Sequence, residues 1–173
     1  SCAVAAQQAQ KEVLILDLDP QATAESWYQD REAQTPRLVH LHSTQLEQAL
    51  AMAQSNGFEV VLMDTPGRDE PSIGTAIRFS DLCLIPCRPT SADMKATPQT
   101  IQMIHRLKKP AAFVLTQTPP RSYRIREAEK GLSVLGMVAP VRTVMRNAYQ
   151  DAFSAGLGVT EYEPDGKAAA EIR

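Results

Sequence analysis

The sequence predicts an α/β protein built on a doubly wound, mostly parallel sheet with helices on both faces. Two observations predict it. Short apolar runs alternate along the chain with segments whose apolar residues recur at helical spacing. The runs are apolar on consecutive residues, as in strands buried on both faces, which a parallel sheet covered by helices requires.

The elements follow in order. Ala3, Val4, Ala5 and Ala6 with the glutamines after them read as the back half of a helix. With no initiator Met, this points to a true start upstream of residue 1. Residues 13–16 form the first strand, which runs into Asp17, Leu18, Asp19, Pro20 and Gln21. Alternation along a strand turns Asp17 and Asp19 to the same side. Residues 21–31 are helical, with Pro20 ending the strand pairing, and residues 37–42 form a short strand. Leu46, Ala49, Leu50 and Ala53 mark a helix over residues 44–54, capped by Ser43 or Thr44 and ended by Asn56 and Gly57. A strand at 58–63 ends at Asp64, a helix covers 72–79, and a strand at 82–85 ends at Pro86. Thr97 followed by Pro98 reads as a cap and first-turn proline, opening a helix that runs to Leu107. Then come a strand at 111–115, a helix at 124–135, a strand at 137–141, a helix at 144–155 and a last helix begun at 164–173. The 173 residues form one domain, long enough to bury a core.

Composition narrows the function. Apolar residues at 43% and charged residues at 22% are ordinary for a globular chain. The net charge of −2 excludes a global basic field for nucleic acid and leaves only local patches. Cys2, Cys83 and Cys87 are odd in number and lie in or near apolar runs, which favours reduced thiols in a cytoplasm over a disulfide framework. No stretch approaches the roughly 18 apolar residues of a membrane span. Residues 1–11 lack the charged start and apolar centre of a signal peptide.

In doubly wound sheets, ligands bind at the carboxyl ends of the strands. There the sequence places Asp17 and Asp19; Asp64 with Thr65, Pro66 and Gly67; Pro86 with Arg88, Pro89 and Thr90; and Thr116, Gln117, Thr118 and Pro119. Carboxylates and hydroxyls are hard oxygen ligands suited to Mg²⁺, and Mg²⁺ beside carboxylates is typical of phosphoryl transfer.

Four stretches, "LILDLDPQATAESW", "FEVVLMDTPG", "DLCLIPCRPTSADMKAT" and "FVLTQTPPRS", resemble in order and spacing the ParA/MinD family of deviant P-loop ATPases. The likeness is strongest to small ParA-type plasmid partition proteins. The tail "AFSAGLGVTEYEPDGKAAAEI" is similar to the family's C-terminal segment, so the resemblance spans essentially the whole chain. It implies a P-loop NTPase-like fold that dimerises around ATP and Mg²⁺. It implies that Asp19 orients the attacking water, that Asp17 sits near the metal, and that Asp64 holds Mg²⁺ through water. By the same likeness, Thr65, Pro66 and Gly67 form a switch loop, and Pro86, Pro89 and Thr116, Gln117, Thr118 and Pro119 flank the base. The implied partners are a second copy of the chain, a centromere-binding adaptor and nonspecific DNA, in a bacterial cytoplasm at the nucleoid, with no membrane. Arg121, Arg124 and Arg126 are the candidate DNA contacts, with a solvated basic face as the plainer reading.

The sequence departs from the family at one place. No GxxxxGK[ST] occurs in it, and its first glycine is Gly57. That motif supplies the N–H groups and the lysine that cradle the phosphates. Residues 1–173 therefore read as one ParA-like domain lacking the first strand and phosphate loop, its last helix cut short. This chain is either a fragment or a degenerate relative, and it is expected to bind ATP weakly or not at all. The functions implied are a partition ATPase, a non-catalytic partner of an intact homologue, or a relative that positions another cargo.

Residues outside these motifs read as structural. His40 and His42 share a strand face but lack a second ligand pair for a metal. Cys83 and Cys87 flank an apolar strand and read as buried thiols, and Trp27 as packing.

Overall fold

The computed structural model describes residues 1–67 and 71–173. They divide into two compact units, one of Ser1–Ala76 with Asn147–Arg173 and one of Ile77–Arg146. Every described strand pair is parallel, which is the predicted fold class: parallel sheets flanked by helices.

The first unit is centred on β1 (Val13–Asp17), which lies between β2 (Arg37–His40) and β3 (Val60–Asp64). All five residues of β1 are buried. The consecutive apolar residues that predicted this strand divide between two clusters. Leu14 and Leu16 belong with Leu41, Leu46 and Ala53, on the side of α3 (Leu46–Ser55). Val13 and Ile15 belong with Ala3 and Val4 of α1 (Cys2–Gln8) and Trp27 of α2 (Thr23–Gln29). Side chains on a strand alternate between faces, so one strand anchors both helical layers. Each large apolar side chain so buried contributes about 1.5–3 kcal/mol.

Several starts differ from expectation here, and local bonds explain two of them. The helix after β1 begins at Thr23, not residue 21, because Ala22 adopts a left-handed φ of 52° and its N–H is bonded back to the Asp19 carbonyl. The helix after β2 is entered through a 3₁₀ turn at Ser43–Gln45, whose cap is His42, not Ser43 or Thr44.

The C-terminal part of the first unit carries α7 (Asn147–Ser154), α8 (Val159–Tyr162) and α9 (Lys167–Ile172), packed through Ala152, Val159 and Ala168. A buried polar clamp ties it to α2. Arg31, its side chain 1% exposed, meets Glu161 with both terminal nitrogens, at 2.8 and 2.7 Å. It also donates to the carbonyls of Gly156 and Thr35 and lies over the Trp27 ring, 5.0 Å from its centroid. The Trp27 indole N–H donates to the Leu157 carbonyl. Gly156 is required there: its φ is +67°, and a Cβ would collide with the Asp30 backbone.

The second unit places β5 (Ala111–Thr118) between β4 (Cys83–Cys87) and β6 (Val138–Val144). Phe113 and Leu115 of β5 are buried, as are Ile101 and Ile104 of α5 (Ser91–Arg106) and Ile125 and Leu132 of α6 (Tyr123–Ser133). The element α4 (Pro71–Phe79) spans the boundary between the units in sequence.

The expected helix start at Thr97 and Pro98 is overturned. Helix α5 begins at Ser91, capped by Thr90, whose hydroxyl accepts the Asp93 N–H, and Pro98 lies inside it. An interior proline removes one helical N–H and frees the carbonyl four residues earlier. That carbonyl belongs to Met94. The Thr97 hydroxyl donates to it at 3.1 Å and to the Asp93 carbonyl at 2.8 Å, which fills the gap.

The clamp contributes to the first unit's acid sensitivity. Burial pushes the Glu161 carboxyl up, but the Arg31 bonds and the Gly158 N–H outweigh it and hold it below the usual range. A depressed carboxylate stabilises the fold above its unfolded midpoint, and that contribution is lost as pH falls through the folded one. Arg31→Met is expected to cost about 3 kcal/mol at pH 7, the low end for a broken buried pair because Glu161 keeps a quarter of its side chain in water. Urea unfolding checks this. The deficit should shrink as Glu161 protonates below its ordinary range, and an equal deficit at pH 7 and pH 3 would remove the clamp from the account.

Candidate functional site

The carboxyl edge of the first sheet is organised by Asp17. It ends β1, is fully buried, and pairs in register with His40 on β2 and Asp64 on β3. A buried carboxyl group is costly unless its oxygens find donors. Both do: the Asp19 N–H donates to one at 3.0 Å and the Glu25 N–H to the other at 3.1 Å. Asp17 thereby fixes the turn after β1 and the first turn of α2. Asp19, half-buried, accepts the Gln21 N–H at 2.9 Å. Asp17 and Asp19 are neighbours because the turn folds the Asp19 N–H back onto Asp17, not because a strand alternates through both.

Asp64 completes the cluster from β3, and its carbonyl accepts the Leu18 N–H at 2.9 Å. Desolvation at the strand end, then the like charges of Asp17 and Asp19, raise its carboxyl above the usual range. The residue is nevertheless solvent-exposed, which makes the like charges the firmer cause, and they are what a bound cation would offset. Thr65 is half-buried, Pro66 buried and Gly67 exposed. The next three residues, 68–70, lie outside the described ones.

One neighbour escaped the sequence reading. The His40 Nδ1 stands 3.8 Å from an Asp17 oxygen, beside the carboxylates and not in a metal pair with His42. Its place at the end of the strand after the "DLDPQ" stretch was the available signal. Among the described residues, no group of three or more His, Cys, Asp and Glu side chains could hold a metal ion. Mg²⁺ does not need such a cage: it is bound through one or two carboxylates, waters and phosphate oxygens. The exposed Asp64, with the negative field of Asp17 and Asp19 behind it, fits that mode. Asp17, buried with each oxygen already accepting a backbone N–H, braces the loop.

The remaining candidate residues belong to the second unit. Pro86 is exposed within β4, and Pro89 is half-buried after it. Thr116 is half-buried on β5, and Gln117 is exposed with a left-handed φ of 48°. Thr118 is fully buried and committed to the sheet, its hydroxyl donating to the Thr143 carbonyl and its own carbonyl accepting the Met145 N–H. Pro119 follows, half-buried. Arg121, Arg124 and Arg126 are all exposed, and none forms an ion pair with a described residue.

Asp64 offers a direct test of the cluster. Asp19→Asn removes one like charge and should lower the Asp64 midpoint, read from its carboxyl carbon by NMR. A carboxyl raised in the fold destabilises it as pH climbs from the unfolded to the folded midpoint, so the variant should also flatten that fall in stability. An unmoved Asp64 midpoint would mean that the carboxylates do not act on one another.

No protein-family model matches the chain. The chain is 33% identical over 172 residues to the maintenance of carboxysome distribution protein A of Halothiobacillus neapolitanus, covering 91% of this chain and 77% of that one. Solved structures share its fold, among them the following two. The septum site-determining protein MinD of Pyrococcus horikoshii, complexed with Mg-ADP, superposes with a TM-score of 0.76 at 13% identity, over 99% of this chain and 84% of that one. Apo McdA of Cyanothece superposes with a TM-score of 0.76 at 15% identity, over 99% and 89%. The sequence relative, with the parallel α/β fold and the motifs at its strand ends, shows that this chain belongs to the ParA/MinD family of ATPases.

Proposed function

We propose that this protein is a ParA-type positioning ATPase that distributes a protein-bounded compartment of the carboxysome kind, in preference to a plasmid. The observation that carries the reading is its 33% identity, over 91% of the chain, to a carboxysome distribution protein. The reading takes residues 1–173 as one nucleotide-binding domain, acting as a dimer in a bacterial cytoplasm. Among the described residues, no helix is long and apolar enough to cross a membrane.

In this reading, Asp64 holds Mg²⁺ through water, Asp17 braces the loop, and Asp19 orients the water that attacks the γ-phosphate. The metal, when bound, offsets the phosphate charge. Thr65, Pro66 and Gly67 answer to the γ-phosphate, and Pro86, Pro89 and Thr116, Gln117, Thr118 and Pro119 flank the base. The protein's share of such catalysis is positioning and charge stabilisation. Residues 1–173 contain no GxxxxGK[ST], so turnover in this reading requires a phosphate cradle that these residues do not supply.

Charge supports a role for nonspecific DNA as the track. The net charge of −2 is an average over two unlike parts. The unit Ile77–Arg146 holds twelve Lys and Arg against four Asp and Glu, a net charge of +8, and the rest of the chain carries −10. A basic unit of this kind attracts phosphate with an affinity that falls steeply with salt. Arg121, Arg124 and Arg126 are its proposed contacts.

Two readouts test the proposal. Mg-dependent ATP turnover by the gene product should fall at least about a hundredfold in Asp19→Ala, the scale for a lost positioning group. Deleting the gene in its host should bunch the compartments seen by fluorescence microscopy while plasmids are inherited normally. Plasmid loss with evenly spaced compartments would instead assign the protein to partition.

A further inference from the structure

The second unit contains a groove that meets the nucleotide reading only at Pro89. It has a volume of about 530 Å³ and opens between the first turns of α5 and α6, a size typical of ligand sites. Further along, the two helices meet closely: Gly131 has no side chain, and a Cβ there would stand 3.0 Å from the Met94 Cε. Met94, Ala128 and the ring of Tyr123, 69% exposed, give the groove its apolar lining.

Its charge is one-sided. Lys95 and Arg124 line it, both exposed and neither in an ion pair with a described residue. Asp93, two residues before Lys95, is taken. Arg88 grips both of its oxygens, at 2.9 and 3.1 Å, and holds its carboxyl down at about 2, while Thr90 donates to it as well. Among the described lining residues, Glu127 is the single carboxylate. Both helices also begin here, and helix amino ends favour negative charge.

We propose that this groove docks an acidic segment of a partner protein, Asp and Glu residues around one large apolar side chain. The apolar side chain sits against Met94 and Tyr123, and the flanking carboxylates meet Lys95 and Arg124. Charge complementarity selects this occupant, since the groove's two unpaired cations outnumber its one carboxylate, Glu127, in a unit of net charge +8. Duplex DNA fits less well. A phosphate backbone makes no use of an apolar concavity. The proposal rests on the positioning reading, for which it names the chemistry of the adaptor.

Selection of random 12-residue peptides displayed on phage, followed by fluorescence anisotropy of a labelled winner, tests this without nucleotide or turnover. A failure here therefore leaves the ATPase reading intact, and a failed ATPase assay leaves this result intact. The expected winners are rich in Asp and Glu around Leu or Phe. Lys95→Glu and Tyr123→Ala should each weaken binding about tenfold, while Arg106→Glu, in the last turn of α5 and outside the groove, should leave it unchanged. Thermal melting checks that these surface variants fold, and Lys95→Gln gives a milder second reading. Winners without acidic bias, binding indifferent to Lys95→Glu and Lys95→Gln, or binding of a random-sequence 30-base-pair duplex that Lys95→Glu and Tyr123→Ala weaken as much as the peptide's would each overturn the proposal, the last by giving the groove to DNA.

Discussion

Asp17 has no contact with water, and the carboxyl edge of the first sheet is arranged around that fact. A buried carboxyl group persists only where donors reach its oxygens. Here the two donors are backbone N–H groups from the turn after β1 and from the first turn of α2. Satisfying Asp17 therefore dictates where the chain turns, where the helix starts and where Asp19 is held. The register with β3 then brings Asp64 alongside. Three acidic residues are gathered at one strand edge by a bonding requirement of the innermost, and the outermost, Asp64, has its proton affinity raised as a result.

Below that edge, β1 is buried along its whole length and shared by two apolar clusters, so neither face can slip by one residue without exposing its partner set. The Arg31 clamp plays a similar part at the other end of α2. It bonds Glu161 and Gly156, both far along the chain, and holds the C-terminal segment to α2. Polar groups buried in this way stabilise only when every partner is present. The positive unit differs in kind. Its cations are mostly exposed and spaced along helices and loops, an arrangement suited to recognition of polyanions or acidic chains.

The fold class was legible because apolar runs buried on both faces leave a plain mark in a sequence. Asp17, Asp19 and Asp64 were legible for a related reason: acidic residues directly after such runs can only stand at strand ends. What escaped the sequence depended on bonds that composition does not record. Thr97 and Pro98 imitate a helix start, and only the Thr97 hydroxyl on the Met94 carbonyl explains how the helix passes through. The partnership of Arg31 with Glu161 joins residues 130 apart. The contrast of +8 against −10 was hidden in a net charge of −2 until the boundaries of the units were known. His40 was visible as a histidine at a strand end, but its place beside Asp17 needed the register of β1 with β2.

The central claim is that the edge formed by Asp17, Asp19 and Asp64 is the metal side of a nucleotide site. Mn²⁺ replaces Mg²⁺ on nucleotides and broadens the NMR signals of nearby nuclei. Adding Mn²⁺ with ATP to the isotope-labelled full gene product should broaden the backbone signals of residues 17–19 and 64–67 first, while those of α9 stay sharp. Equal broadening across the protein, or loss of signal centred away from the ends of β1 and β3, would contradict the account.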